Sequence, residues 1–266
     1  MTAPAWWIFS GRKLLIRDDA FEGERRAGLL PAVPLDLDAS LELRIEVPPV
    51  GLGLRAEPAQ ALHAPEPPDP PPGFQWVELR AAAAALDDDA FRRAGRAWQF
   101  LEWRRTHRFC GVCGAPTAPG PRGALQCPAC DHLHFPRLSP AVIVVVHRGD
   151  EIMLGRNPAF PEGMFSTLAG FVEPGESLEA AVHREIREEA DVEVAPPVYF
   201  GSQPWPFPHS LMVGFFAEWR SGAPRPADGE LEAVGWFHRS DLPRLPGSVS
   251  IARHLIERWR EGLLPG

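Results

Sequence analysis

The chain has 266 residues, 45% of them hydrophobic and 23% charged, with a net charge of −8. That length carries one large domain or two to three small ones with ample core, and the acidic balance argues against a generic, whole-surface attraction to nucleic acid. The longest aliphatic run, Ala141–Val146, is far short of the roughly 20 residues that a membrane span needs.

In chain order, Trp6, Trp7, Ile8 and Phe9 form an apolar cluster followed by Gly11-Arg12-Lys13. No basic segment precedes it, so a signal peptide is not expected and the location reads as cytoplasmic. The alternation Leu41-Glu42-Leu43-Arg44-Ile45-Glu46-Val47 predicts a strand with one solvated face. The stretch from Pro65 to Pro72 can be neither helix nor central strand and is expected as an exposed loop. Asp89 is expected to cap a helix reaching about Thr106, with Phe91, Ala94, Trp98 and Leu101 on one face. Arg104 and Arg105 suit the negative pole at its end. Ala141–His147 is a buried strand by its β-branched content. Two helices follow, one near Ser177–Ala190 and one near Ser250–Arg260. The expected organisation is an N-terminal, mainly-β α+β domain over 1–106, a zinc ribbon over 107–136 and a catalytic domain over 137–266.

All four cysteines are clustered, as Cys110, Cys113, Cys127 and Cys130. Two CxxC pairs separated by thirteen residues have zinc-ribbon spacing. Four thiolates close the coordination shell, so the zinc is expected to be structural, and the nearby His107, His132 and His134 are read as surface residues. A ribbon can also bind nucleic acid. Arg104, Arg105, His107, Arg108, Arg122 and Arg137 surround it, either as a patch steering RNA or as solvated charges at a helix end.

The densest chemistry lies in Gly170-Phe171-Val172-Glu173-Pro174-Gly175-Glu176 and Arg184-Glu185-Ile186-Arg187-Glu188-Glu189-Ala190-Asp191-Val192. Ser177 suits an N-cap, and Leu178, Val182 and Ile186 give the helix a buried stripe. Glu185, Glu188 and Glu189 stand at i, i+3 and i+4, so all three project beside that stripe. Carboxylates this close repel one another. Either Arg184 and Arg187 balance a solvated acidic face, or a divalent cation removes the repulsion, and carboxylate oxygens are what Mg²⁺ and Mn²⁺ prefer.

This segment resembles the Nudix box, G-x5-E-x7-R-E-U-x-E-E-x-G-U with U aliphatic, at every defined position except the last glycine, which is Asp191 here. Asp tolerates the left-handed conformation that ends such a helix. The resemblance implies a Nudix fold, a mixed sheet between helices (α-β-α), and metal-dependent cleavage of a nucleoside diphosphate linked to another group. It implies that Glu185, Glu188 and Glu189 hold the metal with the Ala169 carbonyl, while Glu176 and Arg184 brace the loop.

Ser202-Gln203-Pro204-Trp205-Pro206-Phe207-Pro208-His209-Ser210 bears on the substrate. Alternate prolines are expected to hold the chain extended and present Trp205 and Phe207 as platforms for a flat ring; a buried Pro/Trp corner is the plainer alternative. The segment is similar to the S-Q-P-W-P-F-P-x-S signature of the NADH pyrophosphatases, some of which remove NAD caps from RNA. Members carry the same four-cysteine insertion.

That resemblance implies several site residues. Phe171 and Trp205 sandwich the nicotinamide, Trp205 coming from the partner of a homodimer. Gln203, Ser210 and Met212 line the pocket, Ala252 contacts the ligand through its backbone, and Glu230 is a further acidic metal ligand. Phe135, in Phe135-Pro136-Arg137, stands where the family often has tyrosine, so a phenol hydrogen bond is lost. The expected reaction is hydrolysis of NAD(H) to AMP and nicotinamide mononucleotide, with NAD-capped RNA as a further substrate. Other readings are a Nudix hydrolase of another nucleoside diphosphate derivative such as ADP-ribose, and a zinc-ribbon nucleic-acid-binding protein with an inactive Nudix scaffold.

Overall fold

A computed structural model describes residues 5–18, 43–47, 59–64, 66–227 and 229–264. Two compact units emerge, one comprising Met1–Arg137 with Pro206–His209, the other Leu138–Trp205 with Ser210–Gly266. Among the described residues, no helix is long and apolar enough to cross a membrane.

The first unit holds a five-stranded sheet in the order β3-β4-β1-β2-β5. Its strands are β1 (Ala5–Ser10), β2 (Lys13–Arg17), β3 (Leu43–Val47), β4 (Ala59–Ala64) and β5 (Phe74–Glu78). The alternating stretch read from residue 41 is β3 from Leu43 onward; Leu41 and Glu42 lie outside the described residues, as does Pro65 at the head of the proline-rich stretch. Trp7, Ile8 and Phe9 are fully buried, which accounts for the apolar start of the chain. A short helix α1 (Leu79–Ala82) leads to α2 (Asp88–Thr106). Phe91, Ala94, Trp98 and Leu101 are buried as their spacing predicts, and Trp98 packs against Phe9 with ring centroids 5.6 Å apart.

The cap differs from expectation. Asp87, not Asp89, accepts the hydrogen bond from Ala90 N at 2.7 Å. Asp89 lies inside the first turn and pairs with Arg93. Three consecutive aspartates leave the choice to backbone conformation, and only Asp87 is extended. The cysteine region forms three two-residue strands, β6 (Ala118–Pro119), β7 (Leu125–Gln126) and β8 (Leu133–His134), in one small sheet.

The second unit is built on a seven-stranded mixed sheet. Its centre is β9 (Ser139–Arg148), paired in parallel with β14 (Ser210–Ser221) and antiparallel with β10 (Glu151–Arg156) and β11 (Leu168–Phe171). β15 (Ala233–His238) extends the sheet beyond β10. β12 (Glu193–Val194) and β13 (Val198–Trp205) both pair with β14. Val142, Val144 and Val146 pack toward α3 (Leu178–Ala190), whereas Ile143 and Val145 pack toward α4 (Ile251–Arg260). Both faces of β9 are covered, which is why its sequence is continuously aliphatic rather than alternating. The expected mixed sheet between helices is therefore observed.

The two helices match their predicted positions; Ser177 caps α3 as expected, accepting from Ala180 N, and Ser250 caps α4, accepting from Arg253 N. Val182 and Ile186 are fully buried, each burial contributing about 1.5–3 kcal/mol. Asp191 ends α3 in the left-handed conformation, φ 54°.

Candidate active site

The glycine-rich loop and α3 are joined through Arg184. Its guanidinium donates to both carboxylate oxygens of Glu176, at 2.8 and 2.9 Å, and to the Phe171 carbonyl at 2.8 Å. It also donates to one oxygen each of Glu185 and Glu188, at 2.8 and 3.1 Å. The brace expected of Glu176 and Arg184 is thus present, and it reaches the acidic cluster as well. The bond from Arg184 holds the Glu176 carboxyl below the usual carboxylate range.

Glu185 behaves oppositely. Burial pushes its carboxyl up; Arg184 opposes this, while Glu188 and Glu230 add repulsion. That repulsion brings Glu230, 45 positions further along, into the field of the helix cluster. The Glu230 loop is tied down by Asn157, whose amide donates to the Glu230 carbonyl, and by Glu232 N bonding to Arg156 O. Glu189 is buried at 5% exposure.

Gly170 has a role that sequence reasoning passed over. The Glu185 carboxyl group occupies the space that a Cβ at position 170 would fill. The fixed glycine at the head of the motif was a signal for such a close approach. Glu185 and Glu188, joined through Arg184 with Glu185 held against the glycine cradle, offer hard oxygen donors of the kind a divalent cation takes.

The sheet register aligns the expected pocket residues. Gln203 pairs with Met212, Met212 with Ala141, and Ala141 with Phe171, giving one row across four strands. Trp205 and Ser210 form the last pair of the β13–β14 hairpin. Phe171 is 58% exposed, Ser210 is buried and Trp205 is half-buried. The row spans three strand spacings, so Phe171 and Gln203 lie about 14 Å apart. The Gln203 amide donates to Val249 O at 2.7 Å and accepts from Ile251 N at 2.8 Å. It therefore anchors the start of α4, where Ala252 is buried.

The extended platform expected over the proline motif is only half realised. Strand β13 stops at Trp205, and Pro206–His209 turns back into β14. Prolines lack the N–H that would continue the ladder. Phe207 is no open platform, because the Arg80 guanidinium lies 4.8 Å above its ring.

The four cysteine sulfurs all lie within 4.8 Å of one another, the only such metal-ligand group among the described residues. Cys110 and Cys130 Sγ are 3.7 Å apart, Cys113 and Cys127 Sγ 3.5 Å. These match the edge of about 3.8 Å expected for tetrahedral Zn–S bonds of about 2.3 Å. Backbone N–H groups of Val112 and Cys113 pull the Cys110 thiol down, while at Cys130 the bond from His132 N is outweighed by the crowded thiols of Cys113 and Cys127, which push it up, a repulsion that a bound cation relieves.

Comparison with known proteins agrees with this geometry. Residues 137–259 match the NUDIX domain, 105–135 the NADH pyrophosphatase zinc ribbon domain, and 4–103 the NADH pyrophosphatase-like rudimentary NUDIX domain. A protein of Stutzerimonas stutzeri named NAD-capped RNA hydrolase NudC is 51% identical over 73% of this chain and 74% of its own. One of the same name from Pseudomonas aeruginosa is 48% identical over 80% of this chain and 79% of its own. Among solved structures, a NUDIX hydrolase from Nitrosomonas europaea shares the fold, with a TM-score of 0.51 at 23% identity over 58% of this chain and 90% of that one. The chain belongs to the Nudix hydrolases, in the group that carries the NADH pyrophosphatase zinc ribbon and rudimentary N-terminal Nudix domain.

Proposed function

We propose that the chain hydrolyses the pyrophosphate of NAD(H) to AMP and nicotinamide mononucleotide, and removes NAD caps from RNA. The observation that carries this reading is the pair Glu185 and Glu188 on α3, joined through Arg184, with Glu185 seated on Gly170. Its close relatives named as NAD-capped RNA hydrolases and the Ser202–Ser210 motif supply the choice of substrate.

Glu185, Glu188, Glu189 and Glu230, with the Ala169 carbonyl, would hold Mg²⁺ or Mn²⁺. When bound, the ion neutralises phosphate charge and lowers the pKa of a water. In the reaction a water oxygen bonds to one phosphorus, the bridging P–O bond breaks, and the water's proton leaves. Glu189, buried on the same helix as Glu185 and Glu188, is assigned the largest single effect. Arg184 holds the loop and two carboxylates in register without touching the reacting atoms. Phe171 offers an exposed ring for the nicotinamide, with Gln203, Trp205, Ser210, Met212 and Ala252 completing the pocket.

A ring held between two aromatic faces spans two gaps of about 3.5–4 Å each. In one chain Phe171 stands at one end of a row about 14 Å long, and Trp205 lies two residues past Gln203 at the other end. That separation supports a homodimer in which Trp205 of a second copy closes the sandwich. The exposed Phe109, Val112, Phe135, Leu138 and Tyr199 supply apolar surface for such an assembly. Zinc held by four reduced cysteines fits the cytoplasm. The division into 1–106, 107–136 and 137–266 remains our proposed domain organisation.

The test compares NADH with ADP-ribose under Mg²⁺ and Mn²⁺, for the wild type and Glu189→Gln. We expect NADH to be preferred and the variant to lose about 10²–10³-fold in kcat, as for removal of one strong electrostatic stabiliser. Preference for ADP-ribose would support the other Nudix reading, and an unimpaired variant would remove Glu189 from the site.

A further inference from the structure

Glu230 lies just before β15, which pairs with β10 starting at Arg156 opposite Ala233. Its place is therefore set by whatever holds residues 230–232 against the end of β10. Three consecutive residues there each take one residue of that lead-in. Gly155 takes Leu231: a Cβ at position 155 would lie 2.9 Å from Leu231 Cδ1, so the bare glycine leaves room for that side chain beside the strand. Arg156 takes Glu232 twice, its carbonyl accepting from Glu232 N at 2.8 Å and its Nε lying 3.3 Å from Glu232 Oε2. Asn157 takes Glu230 itself, its amide donating to the Glu230 carbonyl at 3.3 Å. All of these residues belong to the second unit, as do Glu185 and Glu188.

The Arg156 guanidinium does more than pair with Glu232. Its Nη1 donates to Pro161 O at 2.6 Å and to Met164 O at 3.3 Å, and its Nη2 donates to Phe160 O at 3.3 Å. The arginine side chain is 14% exposed, whereas that of Glu232 is 53% exposed. The ion pair alone therefore counts for little. The three carbonyls, by contrast, gather the 160–164 turn around a planar fork. A lysine would keep the charge, but its single nitrogen has no fork with which to span three carbonyls and a carboxylate. Asn157 fastens the same turn at its near end, its Oδ1 accepting from Ala159 N at 2.9 Å. The Glu230 lead-in and the 160–164 turn are thus tied to one side chain.

We propose that Arg156 is a positioning residue of the metal site, which sets the affinity for the divalent cation by holding the lead-in to β15 so that Glu230 meets the α3 carboxylates. The proposal rests on the assignment of Glu230 as a metal ligand above. Removing a partner that orients a ligand in this way typically costs about 10–100-fold in metal affinity or activity.

The test measures Mn²⁺ binding to the zinc-loaded protein without substrate, by electron paramagnetic resonance of the free ion. Wild type, Arg156→Lys, Glu230→Gln and the double variant are compared, with thermal melting as the folding control. Arg156→Lys should raise the Mn²⁺ Kd about tenfold. The double variant should bind no more weakly than Glu230→Gln alone, because the arginine acts through that carboxylate. At saturating Mn²⁺ the KM for NADH should be unchanged. Asn157→Ala, which leaves the guanidinium in place, should also raise the Kd and reads the same clamp if Arg156→Lys does not fold; a normal Kd in Asn157→Ala would then overturn the proposal. A folded Arg156→Lys with normal Mn²⁺ affinity, additive losses in the double variant, or a raised KM with an unchanged Kd would overturn it too. Normal Mn²⁺ binding in Glu230→Gln would refute the ligand assignment and the positioning role with it. A chain that shows the Arg156 effect on Mn²⁺ yet leaves NADH intact would refute the substrate reading alone and leave the positioning role standing.

Discussion

Replacing Gly170 with alanine would place a methyl group inside the Glu185 carboxyl group. The carboxyl must then retreat to a contact distance of about 3.5 Å, a movement of more than about 1 Å. Its bond from Arg184, 2.8 Å long and joining side chains only 13% and 23% exposed, cannot survive that movement. Loss of a charged hydrogen bond at such a site costs about 1.5–3 kcal/mol. A displacement of about 1 Å in a catalytic group typically costs about 10²-fold in rate. Gly170→Ala should therefore reduce Mn²⁺-dependent NADH turnover by about two orders of magnitude and weaken the metal's apparent affinity. The fold should persist, because the three atoms nearest the methyl all belong to the end of the Glu185 side chain, which can swing away. The assay is steady-state turnover across a metal titration, with thermal melting as control. Gly235→Ala, where a Cβ meets open space, should be silent. Normal turnover in Gly170→Ala with a normal melting temperature would refute the claim that Glu185 must sit on that glycine.

Three further outcomes are expected. Stripping zinc with a chelator, or Cys113→Ser, should melt the 107–136 segment, since structural zinc contributes on the order of 10 kcal/mol of apparent binding energy; near-UV circular dichroism with zinc analysis reads this. Asp191→Val should destabilise the protein by about 1–2 kcal/mol, because a β-branched residue must adopt the left-handed conformation and the Arg225 contact is lost. Urea unfolding measures it. Burial lowers the pKa of His147 against a partial opposing effect of Glu218. Its neutral form is favoured in the fold, so the stability it supports is full above the unfolded value of about 6.5 and declines as pH falls through it. His147→Gln should flatten that part of the urea-midpoint profile between pH 8 and pH 5; an unchanged slope would contradict the assignment.

The parts legible in the sequence were those governed by local rules. Ser177 caps its helix because its hydroxyl precedes an apolar periodic run and reaches the free N–H of Ala180. The β9 aliphatic run announced a doubly covered strand, and the CxxC pairs a tetrahedral site. What remained hidden depends on long-range pairing. The row from Phe171 to Gln203 exists because β9 pairs with both β11 and β14, and neither register is encoded within one segment. The Gln203 amide bonds to residues 46 and 48 positions away. Gly170 was visible as a motif position, but the carboxylate it accommodates was not.

The central claim is metal-dependent hydrolysis of the NAD(H) pyrophosphate, and the most direct measurement is product identification after incubation of the zinc-loaded protein with NADH and Mn²⁺. The account predicts AMP and reduced nicotinamide mononucleotide in equal amounts, with none formed in the absence of the divalent ion. Release of free nicotinamide with ADP-ribose, or no cleavage with Mn²⁺ or Mg²⁺, would contradict it.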